Sequence, residues 1–74
     1  MKKYYVVEVS EYVCGNVVRK MHIVKTAHPE ALYDEFYGNC TISYQLRPAT
    51  RAERRAYKAG YKSMIIDIYE YREG

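Results

Sequence analysis

Two runs of β-branched and aromatic residues meet at a two-residue Gly-Asn step, and nothing else in the chain restricts the fold so tightly. Residues 3–13 read Lys-Tyr-Tyr-Val-Val-Glu-Val-Ser-Glu-Tyr-Val, and residues 17–25 read Val-Val-Arg-Lys-Met-His-Ile-Val-Lys. These residue types fit a pleated, half-buried surface. Gly15-Asn16 between them predicts a hairpin, with Gly at the first loop position as a type II′ turn prefers. That loop sets a register with Val13 opposite Val18, Glu11 opposite Lys20, Val9 opposite His22 and Val7 opposite Val24. Opposite residues share a face, so Glu11 and Lys20 form a cross-strand charge pair. Tyr5, Val7, Val9, Val13, Val18 and Val24 make the more uniformly apolar face, which is assigned to the core. Tyr4, Val6, Glu8, Tyr12, Arg19, Met21 and Ile23 make the outer face.

The rest of the chain alternates helix and strand signals. His28-Pro29-Glu30 opens a helix over about 29–37, since Pro suits the first helical position. Leu32, Tyr33 and Phe36 form its apolar stripe, and Gly38 ends it. Over residues 40–46, Cys40, Ile42, Tyr44 and Leu46 alternate with Thr41, Ser43 and Gln45, the period of a half-buried strand that Pro48 stops. Thr50 and Glu53 form a capping box at the start of a helix over about 51–59, which Gly60 terminates. Residues 61–72 return to strand character, with Met64, Ile66 and Ile68 on one face and Ile65, Asp67, Tyr69 and Tyr71 on the other. The order β-β-α-β-α-β predicts a single α+β domain over residues 1–74. It is a two-layer sandwich: a mostly antiparallel four-stranded sheet with both helices on one face.

Size and composition narrow the function classes. A chain of 74 residues buries only about 60% of its unfolded surface and has little room for a catalytic pocket. No apolar run approaches the roughly 20 residues that cross a bilayer. Met1-Lys2-Lys3 is followed by strand residues and not by an apolar leader. The chain therefore reads as a complete, short, cytoplasmic product with no membrane partner. Cys14 and Cys40 are too few for a disulfide scaffold and have no His partners for zinc, so they read as free thiols. No motif calls for a metal or cofactor.

Charge is segregated. Between Arg47 and Lys62 there are six basic residues (Arg47, Arg51, Arg54, Arg55, Lys58, Lys62) and one acid, Glu53, a net of +5 against −2 for the remainder. At about 100° per residue, Arg51, Arg54, Arg55 and Lys58 share one arc of the second helix. Ala52, Ala56 and Ala59 fall on the neighbouring arc expected to pack on the sheet. Such a stripe suits phosphates or an acidic protein surface, and the bland reading is a solvated helix face. Tyrosine is the second feature: ten Tyr, one Phe and no Trp. Tyr4, Tyr12, Tyr69 and Tyr71 fall on the expected outer face, where tyrosine supplies contact area at low entropic cost. Against that, Tyr is also an ordinary strand former. Glu30, Asp34 and Glu35 make the first helix acidic, and its meeting with the basic helix of a second copy is the route to a homodimer.

Catalytic signals are thin. His22 sits mid-strand, and His28 occupies the position before Pro29. An RNase-type toxin using His28 with a nearby cation is the third-ranked reading. The leading expectation is a non-catalytic protein that inhibits or modulates a protein partner. Its surfaces are Arg47, Arg51, Arg54, Arg55, Lys58 and Lys62 together with Tyr4, Tyr12, Tyr69 and Tyr71. A short, tyrosine-rich, motif-free composition resembles that of phage and mobile-element accessory proteins, which implies the blocking of a host nucleic-acid-handling or defence machine. The runner-up is a nucleic-acid-binding module using the same basic helix. Glu8, Asp67 and Glu70 near the tyrosines, and a net charge of only +3, favour protein.

Overall fold

The computed structural model describes residues 1–71. Strands β1 (Lys3–Val13) and β2 (Asn16–Thr26) form the hairpin, β3 (Thr41–Pro48) joins the outer side of β1, and β4 (Ser63–Glu70) joins the outer side of β2. The sheet is antiparallel throughout, in the order β3-β1-β2-β4. A 3-10 turn, Pro29–Ala31, leads into helix α1 (Leu32–Phe36), and helix α2 (Arg51–Lys58) connects β3 to β4. The α+β class is as expected. The expected extension of the last strand to residue 72 lies outside the described residues.

The hairpin turns one residue earlier than the glycine rule places it. Val13 pairs with Asn16, so Cys14 and Gly15 form the loop. Both have positive φ, 50° and 86°, the backbone of a type I′ turn whose twist matches the flanking strands. The register therefore moves by two: Val9 faces Lys20 and Val7 faces His22. A shift of two preserves the faces. Glu11 and Lys20 are diagonal neighbours and still meet, with Lys20 Nζ 3.0 Å from Glu11 Oε2.

The helices do not share a face, and the expected sandwich is corrected in this respect. Leu32 of α1 is buried against Val7 and Val9, with Phe36, Tyr44 and Leu46 around them. On the other face Tyr57 of α2 meets Tyr4 edge-on at 5.4 Å, and Glu53 meets Arg47. Alternation puts Tyr4 and Val7 on opposite sides of β1. The two faces are called here the α1 face and the α2 face. The central strands are accordingly buried on both: Val7 and Val9 on the first, Val6, Val17 and Ile23 on the second. Each such side chain contributes about 1.5–3 kcal/mol by leaving water. The sheet face expected to be outer is thus half core.

Both edge strands carry a further correction. In β3, Ser43 pairs with Ser10 but Thr41 pairs with Glu11, so Ile42 is passed over and Thr41 joins the face of Tyr44 and Leu46, against the expected alternation. β4 is irregular too. Arg19 pairs with Asp67 but Lys20 pairs with Ile65, leaving Ile66 as the extra residue of a β-bulge. Beyond the bulge the alternation inverts. Met64, Asp67 and Tyr69 consequently share the α2 face, and Ile65 shares the α1 face with Ile68, against the simple period-two assignment.

Candidate interaction surfaces

Helix α2 is built from its first turn. Thr50 Oγ1 accepts the Glu53 N–H at 3.2 Å, and Glu53 Oε1 accepts the Thr50 N–H at 2.8 Å, closing the capping box. Arg47, at the end of β3, donates from Nη1 and Nη2 to the two oxygens of Glu53, both at 2.7 Å, and approaches Glu8 Oε2 with Nε at 3.4 Å. A bidentate guanidinium–carboxylate pair fixes geometry as well as charge. The Arg47 bonds, with help from Thr50, hold the Glu53 carboxyl down to about 2, and Glu53 in turn raises Arg47 far above its ordinary range. Arg47 thus clamps the helix to the sheet. It was expected in the basic stripe, but its charge is directed inward.

The remaining cations face out. Glu53, Ala56 and Tyr57 are the half-buried residues of α2, whereas Arg51, Arg54, Arg55 and Lys58 are exposed. At about 100° per residue, those four lie diametrically opposite the packing arc. They line one shallow depression, and none has an ion pair among the described residues. Ala52 and Ala59, expected to pack, are exposed, because Glu53 and Tyr57 supply the contacts. Lys62 Nζ lies 5.0 Å from the Tyr57 ring centroid, and Lys25 and Lys58 lie 5.3 and 6.0 Å from that of Tyr4. Three ammonium groups over two crossed tyrosines make a cation–aromatic cluster. Of these residues Tyr4, Lys58 and Lys62 belong to the expected binding surfaces, whereas Lys25 and Tyr57 carry no sequence signal that marks them.

The four expected tyrosines divide into two places. Tyr4 is half-buried beside α2. Tyr12, Tyr69 and Tyr71 are exposed by 42%, 48% and 45% at the hairpin end of the same face. Tyr12 and Tyr69 flank the buried Val17 in one row across the sheet, and Tyr71 meets Tyr12 edge-on at 5.4 Å. The eight steps from Tyr4 to Tyr12 span about 26 Å of strand. Between the ends no described element covers the α2 face, which forms a shallow trough lined by Glu8, Ser10, Arg19, Ser43, Gln45 and Ile66.

The α1 face holds a different group. Tyr33 and Tyr37 stack at 4.8 Å and both meet Tyr44 edge-on. Burial, with Tyr33 adding to it, raises the Tyr44 phenol. His22 lies against Phe36 at 4.7 Å, and burial followed by Lys20 lowers it. His28 is exposed, 3.6 Å from Glu30, and makes no side-chain cap bond. Cys14 and Cys40 are exposed free thiols. No described helix is long and apolar enough to cross a membrane.

Comparisons of the chain with protein-family models, with curated proteins and with solved structures find no match.

Proposed function

We propose that this protein is a non-catalytic binder that inhibits or modulates a protein partner, engaging it along the α2 face of the sheet. One observation carries the reading: an uncovered trough bounded at one end by the basic helix and at the other by three exposed tyrosines. Aromatic anchors with arginines at a desolvating contact are the composition of protein interfaces. The polar floor suits hydrogen bonds to a partner element laid across it. An acidic partner surface is favoured by the four outward cations of α2. In a phage or mobile-element setting the partner would be a host nucleic-acid-handling or defence machine, blocked stoichiometrically.

A second reading is supported by the Lys25, Lys58, Lys62, Tyr4 and Tyr57 cluster: phosphates on the ammonium groups and a base on a tyrosine, as in single-strand binders. The deciding experiment is affinity capture from lysate of the source cell, with and without nuclease. A protein retained after nuclease treatment and lost with Tyr69→Ala/Tyr71→Ala supports the proposal. Retention of nucleic acid alone, unaffected by the tyrosine changes, overturns it in favour of the second reading.

A further inference from the structure

The acidic α1 and basic α2 lie on opposite faces of the sheet, so one face-to-face twofold contact cannot bring both helices of each copy against the other's. The edge of the sheet can. Among the described residues β4 pairs with β2 along one side only, and all eight of its residues are exposed. Among them Ile65 and Ile68 are exposed by 59% and 56%, Ile66 by 43% and Tyr69 by 48%. The other edge, β3, presents one strongly exposed isoleucine, Ile42, beside Ser43 and Gln45, and ends at Pro48, whose missing N–H blunts that end. A long, exposed apolar edge is a template for another strand.

The bulge makes this edge complementary to itself. Through their partners on β2, Ser63, Ile65, Ile68 and Glu70 lie on the α1 face, and Met64, Asp67 and Tyr69 on the α2 face. Ile66 lines the trough of the α2 face with Ser10 and Arg19. From Ser63 to Glu70 the faces therefore read identically from either end, about the Ile66–Asp67 bond. Antiparallel strands in one sheet require opposite residues to share a face. Two copies of β4 meet that condition over the whole strand in one register, centred on that bond. Ile65 then faces Ile68 of the second copy, and Met64 faces Tyr69, each twice. A shift by one sets most α1-face side chains against α2-face ones, and a shift by two does so at the central pair, Ile65 with Ile66 or Asp67 with Ile68.

We infer that the protein forms a twofold homodimer by pairing β4 with β4 of a second copy, giving a continuous eight-stranded sheet. Both basic helices and both tyrosine clusters then lie on one face, so the dimer is a bivalent form of the surface described above. A strand about 26 Å long on a sheet about 10 Å thick buries less than the roughly 1,200 Å² of a standard interface, so the dimer is weak. Asp67 sets a further limit. Its Oδ1 accepts the Ile68 N–H at 2.9 Å, and the register brings the two Asp67 carboxylates close to the axis, where they repel.

Sedimentation equilibrium on the full chain, from about ten micromolar to about one millimolar, tests the association. The mass should rise from 8.8 kDa toward twice that value. A mass that stays at 8.8 kDa overturns the inference. Asp67→Asn should shift the rise to lower concentration, and no shift, or a shift the other way, removes Asp67 from the axis. The register is read by cross-linking in a Cys14→Ser/Cys40→Ser background, with circular dichroism checking that each variant is folded. Opposite residues have Cα atoms about 4.5–5.5 Å apart, within disulfide reach, whereas Ile65 is three positions, about 10 Å, from Ile65 of the other copy. Mixing Ile65→Cys with Ile68→Cys chains under mild oxidation should therefore give the 65–68 species predominantly. Equal yields from either variant alone overturn the register.

Discussion

Cys14 holds a left-handed backbone, φ 50°, that a side chain with a Cβ rarely adopts. Asn tolerates that conformation best among non-glycine residues, and Asn-Gly is the preferred type I′ pair. Cys14→Asn should accordingly raise stability by about 0.5–1 kcal/mol, read as a higher denaturant midpoint at constant slope. A fall would show that the thiol makes a contact outweighing its backbone cost. The same residue explains the one-position difference from the expected turn: the glycine is legible in the sequence, but which neighbour joins it at positive φ is not. The Glu11–Lys20 pair forms in either register because long side chains reach a diagonal partner as well as an opposite one. Glu53 makes the second prediction at this scale. Its carboxyl is held at about 2, against an ordinary 4.5, so the folded state binds the proton less readily than the unfolded. The stability from this group is complete above about pH 4.5 and is lost as pH falls toward about 2. Glu53→Gln should cost about 1.5–3 kcal/mol at neutral pH and flatten the stability profile across that acid window. An unchanged acid limb would place the titrating group elsewhere.

At the scale of the element, the capping box of α2 and the alternation of β3 from Ser43 to Leu46 were legible because each is a local rule that its own residues satisfy; the shift that passes over Ile42 and pairs Thr41 with Glu11 was not. The bulge in β4 was not, since nothing in Met64-Ile65-Ile66-Asp67 marks which residue goes unpaired; the partner strand decides it. Helix α1 was legible in outline, although a 3-10 turn forms its first part. Its hold on the sheet rests on Leu32, 3% exposed, and on Phe36 against His22. Burial and Lys20 lower the His22 imidazole below 6.5 while Glu11 and Glu35 pull the other way. A base whose folded pKa is depressed binds fewer protons folded than unfolded, so its stability contribution is complete above about 6.5 and declines as pH drops below that value. Amide exchange of residues 32–36, corrected for its intrinsic pH dependence, should therefore show weaker protection at pH 5 than at pH 7. His22→Phe should remove the difference, and a difference that persists in this variant would show that His22 is not the titrating group.

The whole molecule is long and thin, 44 × 23 × 16 Å, and this shape was the least legible feature. Each amphipathic element indicated that it had an apolar side, but not which side of the sheet it would choose. The paired runs Val6-Val7 and Ile23-Val24 were the available signal, because consecutive apolar residues in a strand point to burial on both faces. The expected tyrosine surface groups Tyr4 with Tyr12, Tyr69 and Tyr71, and the fold instead sets Tyr4 beside the basic helix, about 26 Å along the strand from the other three. That separation makes the contributions of the ends separable. Arg51→Glu/Arg55→Glu and Tyr69→Ala/Tyr71→Ala share no contacts among the described residues, so their effects on partner affinity should add within about 0.5 kcal/mol. The charge reversal should leave stability within about 0.5 kcal/mol, as exposed substitutions do. Salt then distinguishes the partner classes. Neutralising phosphates with about four cations gives a log–log salt slope near −3 to −4. A protein partner held also by tyrosines should show a shallower slope, because screening over a Debye length of about 8–10 Å weakens the arginine end and leaves the aromatic end intact. In the variant with reversed charges the protein complex should retain measurable, nearly salt-independent affinity through Tyr12, Tyr69 and Tyr71. If reversal abolishes binding at every salt concentration and the wild-type slope is steep, the tyrosine end contributes nothing and the basic helix is a phosphate-binding element.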